Sequence, residues 1–91
     1  MNSYITKINQ LGMELDEWKF ESCIAHFGIG DDFATLYDIV SGVKRKGHAT
    51  TLLTEAKEYY EDKGLKFGGS VALNENMRNL YVKLGIEEYD K

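Results

Sequence analysis

The sequence contains no proline, one cysteine and two histidines in 91 residues. With Cys23 alone, no internal disulfide can form, which fits a reducing, cytoplasmic setting. One cysteine and two distant histidines, His26 and His48, do not make a zinc-ligand pattern. No apolar run is long enough to span a membrane, and the opening segment MNSYITKINQLG lacks the apolar core of a secretory signal. There is no repeat and no low-complexity linker, so the chain reads as a single domain over residues 1–91. A chain of this length buries roughly 60–65% of its unfolded surface, enough for one core.

What is present is an ordinary globular composition, 43% apolar, with a formal charge of −4. That acidity weighs against broad nucleic-acid binding. Against it stands one basic turn, SGVKRKGHATTLL, residues 41–53, in which Lys44, Arg45 and Lys46 precede Gly47. A basic turn in an acidic chain suits a compact anionic ligand.

The pattern along the chain places that turn. YITKI reads as a short strand closed by Gly12, and WKFESCIAHF, residues 18–27, as a second strand. GIGDD is a loop signal, in which Gly28 and Gly30 can take positive φ. FATLYDIV, residues 33–40, pairs back as a hairpin through a loop of about five residues. The period then becomes helical: Ala49, Leu52, Leu53, Ala56, Tyr59 and Tyr60 share one face, and Gly64 stops the helix. LKFGGSVAL, residues 65–73, reads as a strand. Asn74 is a candidate N-cap for a helix with Met77, Leu80, Tyr81 and Leu84 on one face, which Gly85 ends, and IEEY adds a last short strand. The expected order is β-β-β-α-β-α-(β), an α+β (mixed-sheet) fold with an antiparallel meander first. The strands flanking the first helix should be parallel, joined by a right-handed crossover.

The basic turn therefore leaves a strand and opens a helix. There the first backbone N–H groups lack partners and the helix dipole is positive. Gly47 permits close approach, Ala49 leaves the first turn unobstructed, and Thr50 and Thr51 offer hydroxyls. Gly42 and Gly47 have P-loop spacing, but His48 and Ala49 follow where Lys and Ser/Thr are required, so the lysine that reaches the terminal phosphates is missing, which weighs against nucleotide hydrolysis. The G-x-G-x-x-G dinucleotide pattern is absent as well. The alternative is a solvated basic turn that binds nothing.

KRKGHA resembles the [Q/R]-x-x-G-x-[G/A] acetyl-CoA signature of the GNAT acetyltransferase superfamily. NENMRNLYVKLGI, residues 74–86, is similar to that family's second motif, with Asn74, Leu80, Tyr81, Lys83 and Gly85 matching. Lys44, Arg45, Met77 and Ile86 depart from the usual residues, and the family's two helices before the central meander do not fit ahead of Trp18. The resemblance implies a short GNAT-like fold with a splayed parallel strand pair. It implies acetyl transfer from acetyl-CoA to an amine by direct attack. By the same analogy the pyrophosphate lies on Lys44, Arg45, Lys46, Gly47, His48 and Ala49, with Thr50 nearby and Asn74 opening the second motif. The pantetheine arm lies beside Ile39 and Val40, where a backbone N–H can bind the thioester oxygen. Tyr81 holds the family's position for protonating the leaving thiolate, or else is simply a core residue. The thiol and phenol pKa values, about 8.5 and about 10, allow that transfer. The base that neutralises the amine is left open among Asp38, His26 and Glu21, and His26 can equally be a satisfied sheet histidine. Cys23 reads as a small buried hydrophobe.

Without the two helices the acceptor side should be open, which suits a protein lysine or N-terminus better than a small metabolite. A homodimer could supply the missing wall. In size the chain resembles acetyltransferases of phages and mobile elements, some of which modify host-defence proteins, and its acidity suits a basic target. Two alternatives stand beside the enzyme: a catalytically silent GNAT-like module that binds CoA or a protein, and a nucleic-acid-binding domain using Lys44 to Lys46.

Overall fold

A computed structural model describes residues 3–42, 47–72 and 75–88. It is a mixed six-stranded sheet with two helices. Strands β1 (Tyr4–Gln10), β2 (Met13–Phe20), β3 (Cys23–Ile29) and β4 (Phe33–Ser41) form an antiparallel meander. Helix α1 (His48–Asp62), strand β5 (Lys66–Gly69), helix α2 (Glu75–Leu84) and the short β6 (Glu87–Glu88) follow. The strands lie side by side in chain order, with β4–β5 and β5–β6 parallel. The strand–helix–strand unit around α1 is thus as the periodicity implies, and Gly64 and Gly85 take positive φ where the helices stop.

The meander differs from expectation in having four strands. WKFESCIAHF is not one strand: it breaks at Glu21–Ser22, a tight turn in which Glu21 adopts a φ of 53°. The apolar positions show why. Trp18 and Phe20 face the helices on even numbers, while Cys23, Ala25 and Phe27 do so on odd ones, and the turn absorbs the change of phase. Strand β3 also runs on to Ile29, so Gly28 is a strand residue, and neither it nor Gly30, just past the strand, has positive φ. The fifth strand is shorter than residues 65–73, ending at Gly69.

One face of the sheet carries the core. Trp18, Phe27, Leu36, Leu52, Leu53, Tyr60 and Phe67 are buried together, and α2 adds Met77 and Tyr81. Trp18 meets Phe27 and Tyr60 with ring centroids 6.1 and 5.8 Å apart. Both helices lie on this one face, as crossovers of one hand between parallel neighbours running the same way require. Among the described residues the other face carries no helix. Tyr4, Met13, Phe33, Tyr37 and Val40 stand exposed there.

Candidate functional site

The two parallel strands part company beside a bulge. Across β3 and β4, Phe27 stands opposite Leu36, but His26 stands opposite Asp38, so Tyr37 is an extra residue in β4. The bulge inverts the alternation. Ala34 and Leu36 face the helices before it and Ile39 after it, while Asp38 and Val40 turn to the open face, Val40 being 65% exposed. The Tyr37 ring lies over Gly28, where even a Cβ would collide with it. Pairing of β4 with β5 runs only from Phe33–Lys66 to Leu36–Gly69. Ser70 N–H still donates to the Leu36 carbonyl at 2.9 Å, and its hydroxyl reaches the Tyr37 carbonyl at 3.4 Å. Beyond that point β4 continues to Ser41 and β5 does not. In an antiparallel pair every second residue turns its N–H and C=O away from its partner strand. Within Asp38–Ser41, some backbone donors therefore face the gap left by β5.

Helix α1 starts at the same end of the sheet. Gly47, at φ 72° and ψ 10°, precedes it in the left-handed region, and its carbonyl accepts the Thr51 N–H at 3.0 Å. Among the described residues no side chain caps this end, and the first turn holds no acidic residue. The N–H groups of His48, Ala49 and Thr50 are thus available to an anion. His48 packs edge-on against Phe20, ring centroids 5.5 Å apart, with its Nδ1 buried. Ala49 packs against the core. Lys44, Arg45, Lys46 and Asn74, all expected at the cofactor, lie outside the described residues.

Tyr81 reaches the point of strand separation from below. Gly69, the last residue of β5, has no room for a Cβ because the Tyr81 hydroxyl occupies that space. The hydroxyl donates to the Ser70 carbonyl at 2.8 Å, and the residue is 3% exposed. Burial, reinforced by the negative charge of Glu88, pushes the phenol up to about 12, so at neutral pH it keeps its proton and acts as a donor.

The candidate bases separate. His26 Nδ1 is 2.7 Å from Asp38 Oδ1 and His26 Nε2 is 2.9 Å from Glu17 Oε2, forming a row across β4, β3 and β2 on the open face. Burial pulls the imidazole down, but the bonds to Asp38 and Glu17 outweigh it and hold the ring above its ordinary value. The bond from His26 holds Glu17 below the ordinary carboxylate range. With both nitrogens engaged by carboxylates, His26 has no free lone pair with which to take a proton. Asp38 is on the same face and half-exposed. Glu21 lies in the β2–β3 turn, beside a shallow depression lined by Tyr4, Lys19 and Phe20. Cys23 is fully buried and its thiol is pushed up to about 11 by burial, so it packs as a small hydrophobe.

Sequence reasoning missed Glu17, whose partnership with His26 depends on a register set by the unrecognised Glu21–Ser22 turn. It also missed a network on the covered face. There Trp18 Nε1–H donates to Tyr60 Oη at 2.9 Å, Tyr60 donates to Asp16 at 2.6 Å, and Lys7 donates to Asp16 at 3.1 Å.

Compared with protein-family models, curated proteins and solved structures, the chain matches none. Among the described residues no helix is long and apolar enough to cross a membrane. Nor does any group of three or more His, Cys, Asp or Glu among them stand placed to hold a metal ion.

Proposed function

We propose that the chain is an acetyl-CoA-dependent N-acetyltransferase on the GNAT plan, acting on an amine of a protein surface, a lysine or an N-terminus. The observation that carries this reading is the bulged β4 parting from β5 at Leu36–Gly69, next to the uncapped start of α1. An extended, amide-bearing arm fits the gap between the strands, and a pyrophosphate fits the first turn of α1. The motif resemblance of residues 44–49 and 74–86 points to the same ligand.

The resemblance supplies the roles. The N–H groups of His48, Ala49 and Thr50 bind the anion. A β4 backbone N–H near Ile39 or Val40 donates to the thioester oxygen as the amine nitrogen attacks the carbonyl carbon. As the carbon–sulfur bond breaks, Tyr81 supplies a proton to the thiolate, exchanging the Ser70 carbonyl for the sulfur. The amine loses its surplus proton to water or to Asp38. The open sheet face leaves room for a large acceptor.

Calorimetry with acetyl-CoA tests the reading. Wild-type protein binds and Gly47→Glu does not. Gly47→Ala controls for backbone strain, because a Cβ there meets nothing within 4 Å. A folded wild type that fails to bind acetyl-CoA would falsify the proposal.

A second reading, a silent module that binds CoA without transfer, is favoured by one observation: the Tyr81 hydroxyl is buried and already committed to Ser70. Binding without acetylation of polylysine or of N-terminal amines would select it.

A further inference from the structure

The row Glu17–His26–Asp38 has a proton count that fixes its charge. Carboxylates only accept hydrogen bonds, and each His26 nitrogen faces one, at 2.7 and 2.9 Å. Both contacts need an N–H, and a neutral imidazole has one. The row is complete only around an imidazolium. The other ionisable groups on this face are few among the described residues. From β2, Lys19 sits 3.5 Å from the second oxygen of Glu17. From β1, Tyr4 stands opposite Lys19. From β4, Tyr37 crosses Gly28, from β5, Lys66 lies over the Phe33 ring, and from β6, Glu87 stands beside Gly68. Among the described residues no helix packs against it.

The row and the bulge depend on each other. Were β4 regular past Leu36, Tyr37 would oppose His26 and Asp38 would point at Trp18, Phe27 and Leu36 in the core. Tyr37 brings Asp38 round, and the His26–Asp38 bond holds it there.

We propose that Glu17, His26 and Asp38 form a proton-operated clamp on the β4 bulge, closed while the imidazole carries both protons and released at Asp38 when it loses one. Asp38 is the end that opens because it is 44% exposed and water can replace the ring, whereas Glu17 is 19% exposed and stays beside Lys19. In its consequence for the site this inference rests on the acetyltransferase reading. Ile39 and Val40 follow Asp38 directly, so His26 becomes a positioning residue for the backbone donors that receive the thioester.

The direction with pH follows. The ring's folded-state value is raised, so the clamp is fully closed below the ordinary imidazole pKa of about 6.5 and opens as pH rises through the raised value.

The test is a nitrogen-15 NMR titration of the full chain from about pH 5 to about pH 9, paired with acetyl-CoA calorimetry at both ends. Both ring nitrogens of His26 should report imidazolium at neutrality, and the amides of Tyr37, Asp38 and Ile39 should move with the ring's midpoint. Asp38→Asn should lower that midpoint and uncouple the amides. Acetyl-CoA affinity should weaken several-fold at high pH in wild type, beyond any change in Asp38→Asn. A neutral ring at pH 7, or β4 amides that ignore it, overturns the clamp whatever acetyl-CoA does. Coupled titration with an affinity that tracks Asp38→Asn at both ends overturns the positioning role. Coupled titration with no acetyl-CoA binding at all supports the clamp and removes the acetyltransferase reading instead.

Discussion

The two faces of the sheet hold polar side chains across strands in opposite ways. Under the helices, Asp16 is 6% exposed, and Tyr60, Trp18 and Lys7 converge so that each donor meets an acceptor. Burial, then the bond to Asp16, drives the Tyr60 phenol far out of titrating range. Tyr60 therefore keeps its proton at any ordinary pH and stays a donor to Asp16. On the open face, the row through His26 is complete only with a proton that the solvent supplies. Cover therefore decides which polar set is fixed and which is adjustable.

The largest test of that contrast is truncation. Trp18→Ala should cost about 3–5 kcal/mol and leave a chain of this size barely folded in urea titrations. Val40→Ala, on the open face, should stay within about 0.5 kcal/mol. Equal losses would mean that the open face is covered in solution. Next, Tyr60→Phe strips Asp16 of a donor and Trp18 of an acceptor, and should cost about 1–3 kcal/mol with no pH dependence near neutrality. A smaller effect belongs to His26. The urea midpoint of wild type should fall as pH rises from about 6.5 through the ring's raised value, because the stabilising proton is lost there. His26→Gln should show a flatter profile, and a wild-type midpoint that rises across that window would contradict the row. Smallest is Lys7→Gln. Hydrogen bonding to Asp16 raises the lysine's affinity for its proton, but its ammonium is mostly in water, so the change should be within about 1 kcal/mol. It would show that the covered network rests on Tyr60.

The helices and the crossover could be read from the sequence because a 3.6-residue period with Gly64 and Gly85 as stops leaves little choice. Two of the misread places are changes of strand phase. Apolar positions pass from Trp18 and Phe20 to Cys23, Ala25 and Phe27, and from Ala34 and Leu36 to Ile39. The first shift is the Glu21–Ser22 turn, hidden because no glycine, proline or asparagine marks it. The second is the Tyr37 bulge, which decides that Asp38 meets His26. The candidate site was legible in part. The helix start after Gly47 and the place of Tyr81 on the inner face of α2 follow from helical spacing, and the engagement of Tyr81 with Ser70 does not. The Glu17–His26 pairing needs a register, and register depends on the missed turn.

The strands stand in the sheet in the order in which they stand in the chain. The first three pairings each close a short loop at little entropic expense, while the β4–β5 pairing waits for a whole helix to intervene. On a ribosome the meander therefore emerges ahead of the helices that cover it. Its underside of Trp18, Phe27 and Leu36 stays bare until α1 emerges. Those few seconds of translation are when this chain most needs protection from its neighbours.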